Sequence, residues 1–103
     1  MFKDLWPTRQ RFYLMLCKLV IENKLGVEFT SKDVYNVLSK TTLGDKTALS
    51  ALGIKNPKLI SAMLADLRRE GLISVDKSTF PYVYKLKEGY RRNYEVYKGL
   101  LEE

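Results

Sequence analysis

Residues 56–75, NPKLISAMLADLRREGLISV, place positive charge and small side chains on one side of a predicted helix. An apolar stripe centred on Ile60 recurs at helix spacing, so the opposite side faces away from the core. That side carries Lys58 and Arg69 near its ends, with only alanine and serine between them. Lysine and arginine bind phosphates or base edges, and small residues allow close approach of a helix. The pattern favours binding of a polyanion; the alternative is the solvated face of a surface helix.

The residue types needed for common catalytic and metal sites are scarce. Histidine is absent, which removes histidine acid–base chemistry and the commonest zinc ligand sets. The one cysteine, Cys17, cannot form an internal disulfide, and its apolar surroundings predict inert packing. No glycine-rich phosphate-binding loop occurs. We therefore expect no enzyme activity, no metal and no cofactor.

Length and composition predict one domain over residues 1–103, with 46% apolar residues to form a small core. The net charge of +6 favours a polyanionic partner, nucleic acid first and an anionic membrane surface second. The longest apolar run is too short for a membrane span, and the first residues lack a signal-peptide layout. We therefore expect a cytoplasmic protein. The scarcity of labile residues is compatible with an archaeal, viral or plasmid origin.

Four helices and a hairpin are needed to position this face. Asn56, Pro57 and Gly71 are the start and stop signals of a helix over 56–70. A first helix over 7–24 begins at Pro7 and stops before Gly26. The short run VEF at 27–29 predicts a strand. A second helix begins at Thr30 or Ser31, with Asp33 completing a capping box.

The segment 41–55 predicts a short helix capped by Asp45 and ended by Gly53, with an ordered loop as the alternative. The β-rich runs LISV and YVYKL predict a hairpin over 72–86. The last helix, over 88–102, carries one apolar stripe. Two apolar helices at the ends of so short a chain suggest a homodimer. The expected interface residues are Phe12, Tyr13, Leu16, Tyr90, Tyr94, Tyr97 and Leu101.

Three stretches in this order resemble a winged helix-turn-helix domain, as in MarR-type and PadR-type regulators. FTSKDVYNVL looks like the entry to the second helix, and LISAMLADLRREGLISV looks like the recognition helix running into the wing. YVYKLKEGYRR looks like the returning wing strand. The resemblance covers about residues 10–95 and implies a mainly α fold with a small β-hairpin wing. The fifteen residues of 41–55 depart from the few that usually separate the second and recognition helices.

The resemblance implies a sequence-specific regulator of transcription that binds double-stranded DNA as a homodimer and acts most often as a repressor. One alternative is a DNA-binding protein of partition, replication or DNA coating, which would spread along a duplex instead of protecting a palindrome. The other is a protein-interaction module without affinity for DNA. The sequence identifies no small-molecule effector. The candidate DNA contacts are Lys55, Asn56, Lys58, Ser61, Ala62, Arg69, Lys77, Ser78, Thr79 and Lys85.

Overall fold

A computed structural model describes residues 1–101, which form an α+β fold of helices around a small antiparallel sheet. Within these residues the helices are α1 (Pro7–Ile21), α2 (Ser31–Lys40), α3 (Ala48–Ala51), α4 (Pro57–Arg69) and α5 (Tyr90–Tyr97). The strands are β1 (Glu28–Phe29), β2 (Thr42–Leu43), β3 (Lys46–Thr47), β4 (Ile73–Asp76) and β5 (Val83–Leu86). Turns of 3₁₀ helix lie at Phe2–Asp4 and Lys98–Leu100. The last residue of the helix predicted over 88–102 lies outside the described residues.

Helix α1 is the centre of the core, because most of its sides are apolar and each is covered. Its residues from Phe12 to Cys17 are almost entirely buried. Helices α4 and α5 pack against it. The N-terminal turn adds further cover: the ring of Phe2 lies 5.7 Å from that of Tyr13 and 4.3 Å from that of Tyr97, between ring centroids. Elements of the same chain therefore cover the apolar sides of α1, part of which was expected to pack against a second copy.

This burial corrects four of the expected dimer contacts. The exposed fractions of Phe12 and Leu16 are 0%, and those of Tyr13 and Leu101 are 1% and 4%, so none of them offers surface to another chain. The tyrosines of α5 are half-buried and pack against the same core. An apolar stripe on a helix satisfies an intramolecular and an intermolecular contact equally well, so the sequence pattern did not distinguish the two.

The strand order of the sheet is β1-β5-β4, with all neighbours antiparallel. The predicted hairpin is present as β4 and β5, and the VEF strand is present as β1. Tyr84 of β5 pairs with Phe29 on one side and Val75 on the other, and it faces the core. The next residue, Lys85, points to the opposite face, as strand alternation requires.

The segment 41–55 forms a two-stranded antiparallel ladder followed by a short helix. Strands β2 and β3 pair across a turn at Gly44, whose φ is +70°. The predicted short helix is present as α3, but its cap is Thr47, whose Oγ1 accepts from the Ser50 N–H at 3.2 Å. Asp45 lies in the turn between the two strands, so the expectation that it caps the helix is wrong.

The ends of the longer helices follow local capping chemistry. Helix α2 begins with the predicted capping box, in which Thr30 and Asp33 each accept the other's backbone N–H. Helix α1 ends at Ile21, three residues before the predicted end. Asn23 adopts a φ of +60° there and ends the helix, a role that was predicted for Gly26. No helix within residues 1–101 is long and apolar enough to cross a membrane.

The thiol of Cys17 is fully buried in α1, and burial raises its pKa to about 12. We expect the native protein not to react with Ellman's reagent at pH 8, because the thiolate is scarce and access is closed. The unfolded protein should react at once. Rapid reaction of the native protein would contradict this packing.

The same shift sets a pH dependence of stability. An unfolded thiol loses its proton near the ordinary value of 9.0, whereas the folded one keeps it until about 12. The folded state then binds more protons, so the free energy of unfolding falls as the pH rises through this window. Urea unfolding at pH 8 and pH 10.5 checks the sign, and Cys17→Ala should reduce the slope.

Candidate nucleic-acid interface

A groove of about 340 Å³ runs between α4 and the β4–β5 hairpin. One wall is the exposed side of α4, with Ser61, Ala65 and Arg68. The first residue of α2, Ser31, closes one margin. The other wall belongs to the hairpin and carries three aromatic residues and one cation. Its residues are Val75, Lys77, Phe80, Pro81, Tyr82 and Tyr84.

The buried stripe of α4 fixes which residues face this groove. Asn56 caps the helix, since its side-chain oxygen accepts the Leu59 N–H at 3.2 Å. The stripe that begins at Ile60 and ends at Leu67 is 0% exposed, which turns the alanines and Ser61 outward. The small side chains leave the helix backbone open to close approach by a ligand.

The turn after α4 sets the hairpin beside the helix. Gly71 has a φ of +75°, a conformation that side chains with a Cβ rarely adopt. The Leu72 N–H donates to the carbonyl of Leu67 at 3.1 Å, and β4 begins at the next residue. The predicted Gly71 stop and the fold-back of Leu72 are confirmed. The chain thus passes from helix to strand within a few residues.

All six predicted contact residues on or before α4 are exposed, but two are engaged. Asn56 uses its side-chain oxygen as the helix cap, leaving its amide N–H₂ for a ligand. The guanidinium of Arg69 bonds to Asp66, whose other oxygen accepts from Arg9 Nε of α1 at 2.7 Å. The carboxylate of Asp66 therefore offsets part of the positive charge of Arg69. The exposed six are Lys55, Asn56, Lys58, Ser61, Ala62 and Arg69.

Arg68 lines the groove but is not among the contacts predicted from the sequence. It is exposed and has no ion-pair partner among residues 1–101. With Ser61 and Ala65 it forms a line at i, i+4 and i+7 along the helix, the spacing that would have identified it. Arg69 lies 100° further around the helix, beside Asp66.

The loop between β4 and β5 carries a cluster of one cation and two rings. Lys77 Nζ lies 5.6 Å from the centroid of the Tyr82 ring. The ring of Phe80 meets that of Tyr82 edge-on, with centroids 5.9 Å apart and planes at 81°. Phe80 is 89% exposed and Tyr82 39%. Lys77 is among the contacts predicted from the sequence and neither ring is, although exposed aromatic residues in a polar loop are a usable signal.

Unlike Lys77, Ser78 and Thr79 do not line the groove. The Ser78 hydroxyl and backbone N–H both donate to Asp76 Oδ1, at 2.6 and 2.9 Å. These bonds lower the pKa of Asp76, so its carboxylate stays charged beside the loop. Thr79 is exposed at the loop without lining the groove. Of the predicted loop residues, only Lys77 lines the groove.

Lys85 does not line the groove, and its contact with DNA stays a prediction. It pairs in register with Glu28 and Ser74, all three exposed, whereas Tyr84 and Val75 line the groove on the other face. Adjacent residues of a strand point to opposite faces, so Lys85 lies on the side of the sheet away from the groove.

Comparison with protein-family models, with curated proteins and with solved structures gave no match.

Proposed function

We propose that this chain binds double-stranded DNA as a winged helix-turn-helix protein, with α4 as the recognition helix and the β4–β5 hairpin as the wing. The observation that carries the proposal is the groove, which brings the small-residue side of α4 to face the cationic, aromatic loop. A net charge of +6 supports a polyanion as its occupant. The groove is complete within one chain.

In this proposal α4 enters the major groove with its N-terminal end towards the bases. Lys55, Lys58 and the amide of Asn56 lie at that end, where free backbone N–H groups also favour a phosphate. Arg68 and Lys77, from opposite walls, bind phosphates of the strand that passes between helix and hairpin. Ser61, Ala62 and Ala65 allow contact with base edges.

Regulation of transcription, with repression by occupation of the site, is the role we propose for this binding. Footprinting separates it from DNA coating, because a regulator protects a short palindrome and a coating protein spreads with concentration. The homodimer stays a prediction, tested by sedimentation equilibrium of the free and DNA-bound protein. Its interface would use surface other than the four buried residues named above.

The test of DNA binding is fluorescence anisotropy of a labelled duplex across a salt series. Each phosphate contact contributes about 0.9 to the slope of log affinity against log salt. Arg68→Ala should reduce the slope by about one and the affinity about tenfold. Arg69→Ala is the matched control on the same turn, with a smaller expected effect because Asp66 already offsets its charge.

Equal losses for the two arginine variants would contradict the assignment of Arg68 to the groove. Absence of binding by the parent protein at low salt would overturn the DNA-binding proposal. The surface of α4 and the hairpin would then be a protein-docking surface, as in the second alternative above.

A further inference from the structure

The end of the hairpin carries an apolar ring that the fold leaves open. Phe80 lies in the six-residue loop between Asp76 and Val83, and 89% of its surface is exposed. Single exposed apolar residues are common, but this one belongs to a cluster with Pro81, Tyr82 and Lys77 along one wall of the groove.

Contacts within the loop restrict the position of the Phe80 ring. The Tyr82 ring meets it edge-on at 5.9 Å, an arrangement that aromatic pairs favour. Tyr82 is itself held from another side by the ammonium of Lys77, at 5.6 Å from its centroid. Most of the Phe80 side chain thus stays exposed near the positive charge of Lys77, a combination that suits a base next to a phosphate.

We infer that Phe80 inserts as a wedge at a base step of the bound duplex and partly unstacks it. This inference rests on the proposed function and adds the mode of contact made by the loop. Apolar side chains that enter between base pairs unstack them at a cost and kink the duplex, which brings more of the protein onto the DNA. Lys77 and Arg68, on opposite walls of the groove, bind the phosphates on the two sides of that step.

The test uses two labelled duplexes of one sequence, one fully paired and one with a single unpaired adenine. The unpaired base lowers the cost of unstacking, so the parent protein should bind the second duplex about tenfold more tightly. Phe80→Ala should bring the two affinities to within about twofold of each other. Trp6→Ala, which removes an exposed aromatic ring that does not line the groove, should keep the tenfold preference.

Thermal unfolding followed by circular dichroism should be unchanged in Phe80→Ala, because the ring is 89% exposed. An equal preference in Phe80→Ala and the parent would overturn the wedge, as would a parent protein that shows no preference. In both cases binding to the paired duplex would continue, so the proposed function would stand. Failure of the parent to bind either duplex at low salt would overturn both.

Discussion

Replacing Ala65 with glutamate is expected to weaken binding to duplex DNA at least about 100-fold while the fold stays intact. Ala65 is exposed on α4 and lines the groove between Ser61 and Arg68. A carboxylate there would be buried in the interface with the polyanion, and like charges brought together in an interface cost several kcal/mol. It would also occupy the space that the alanine leaves open. Glutamate is a good helix former, so α4 should be little affected.

The matched control is Val96→Glu. Val96 is 62% exposed on α5 and does not line the groove, and the substitution makes the same change in net charge. Anisotropy at one salt concentration should then show a loss of less than about threefold, through weakened long-range attraction alone. Equal losses for the two variants would mean that net charge, and not the surface of α4, governs binding.

Phe29→Ala is expected to lower the free energy of unfolding by about 3 to 5 kcal/mol. Phe29 is 1% exposed, and its ring stacks on that of Tyr84 at 6.4 Å between centroids. It joins β1 to the central strand of the sheet. Removing the ring leaves a cavity beside the strand that carries Tyr84 into the groove. A small domain has roughly 5 to 15 kcal/mol of stability, so the loss is a large part of the total.

Urea unfolding followed by circular dichroism at 222 nm measures this loss. The one tryptophan, Trp6, is 81% exposed and is a poor reporter of the core. Phe29→Leu, which keeps an apolar side chain of closer volume, should cost less than half as much as alanine. A loss below about 1 kcal/mol for Phe29→Ala would show that the stack with Tyr84 contributes little to the fold.

The parts of the fold that the sequence predicted are those with local signals. Helix α4 has a cap at Asn56, a stripe at helix spacing and a stop at Gly71. Each of these signals acts on residues a few positions away in the sequence. The capping box of Thr30 and Asp33 is of the same kind. These elements formed as expected because each signal and its effect lie in the same few residues.

The errors concern choices between competing local signals and choices that tertiary contacts make. Asn23, in a left-handed conformation, ended α1 before Gly26 could, and Thr47 capped α3 in place of Asp45. Asp45 lies instead in the turn at Gly44 between β2 and β3, a ladder that no apolar pattern in the sequence predicted. The cover of α1 by the chain's own helices depends on packing that periodicity does not encode.

The sequence predicted the kinds of residue in the candidate site better than it predicted which individual residues line the groove. The exposed side of α4 was predicted correctly from the buried stripe. The choice between Arg68 and Arg69 depends on where the hairpin and Asp66 lie, which the sequence does not show. Lys85 was selected by charge, and only the register of β5 shows that it faces away. The prediction for the loop rested on charge and hydroxyl groups alone, so it did not include Phe80 and Tyr82.

The tight turn at Gly71 leaves the groove with little freedom to change its width. Leu72 is hydrogen-bonded back to Leu67 and β4 begins at the next residue, so the helix and the hairpin are held at a fixed separation. A rigid receptor loses little conformational entropy when it binds. The adjustment must then come from the DNA, whose flexibility varies from one base step to the next. We expect the protein to discriminate among sequences partly by how readily they bend, even at base pairs that no side chain touches.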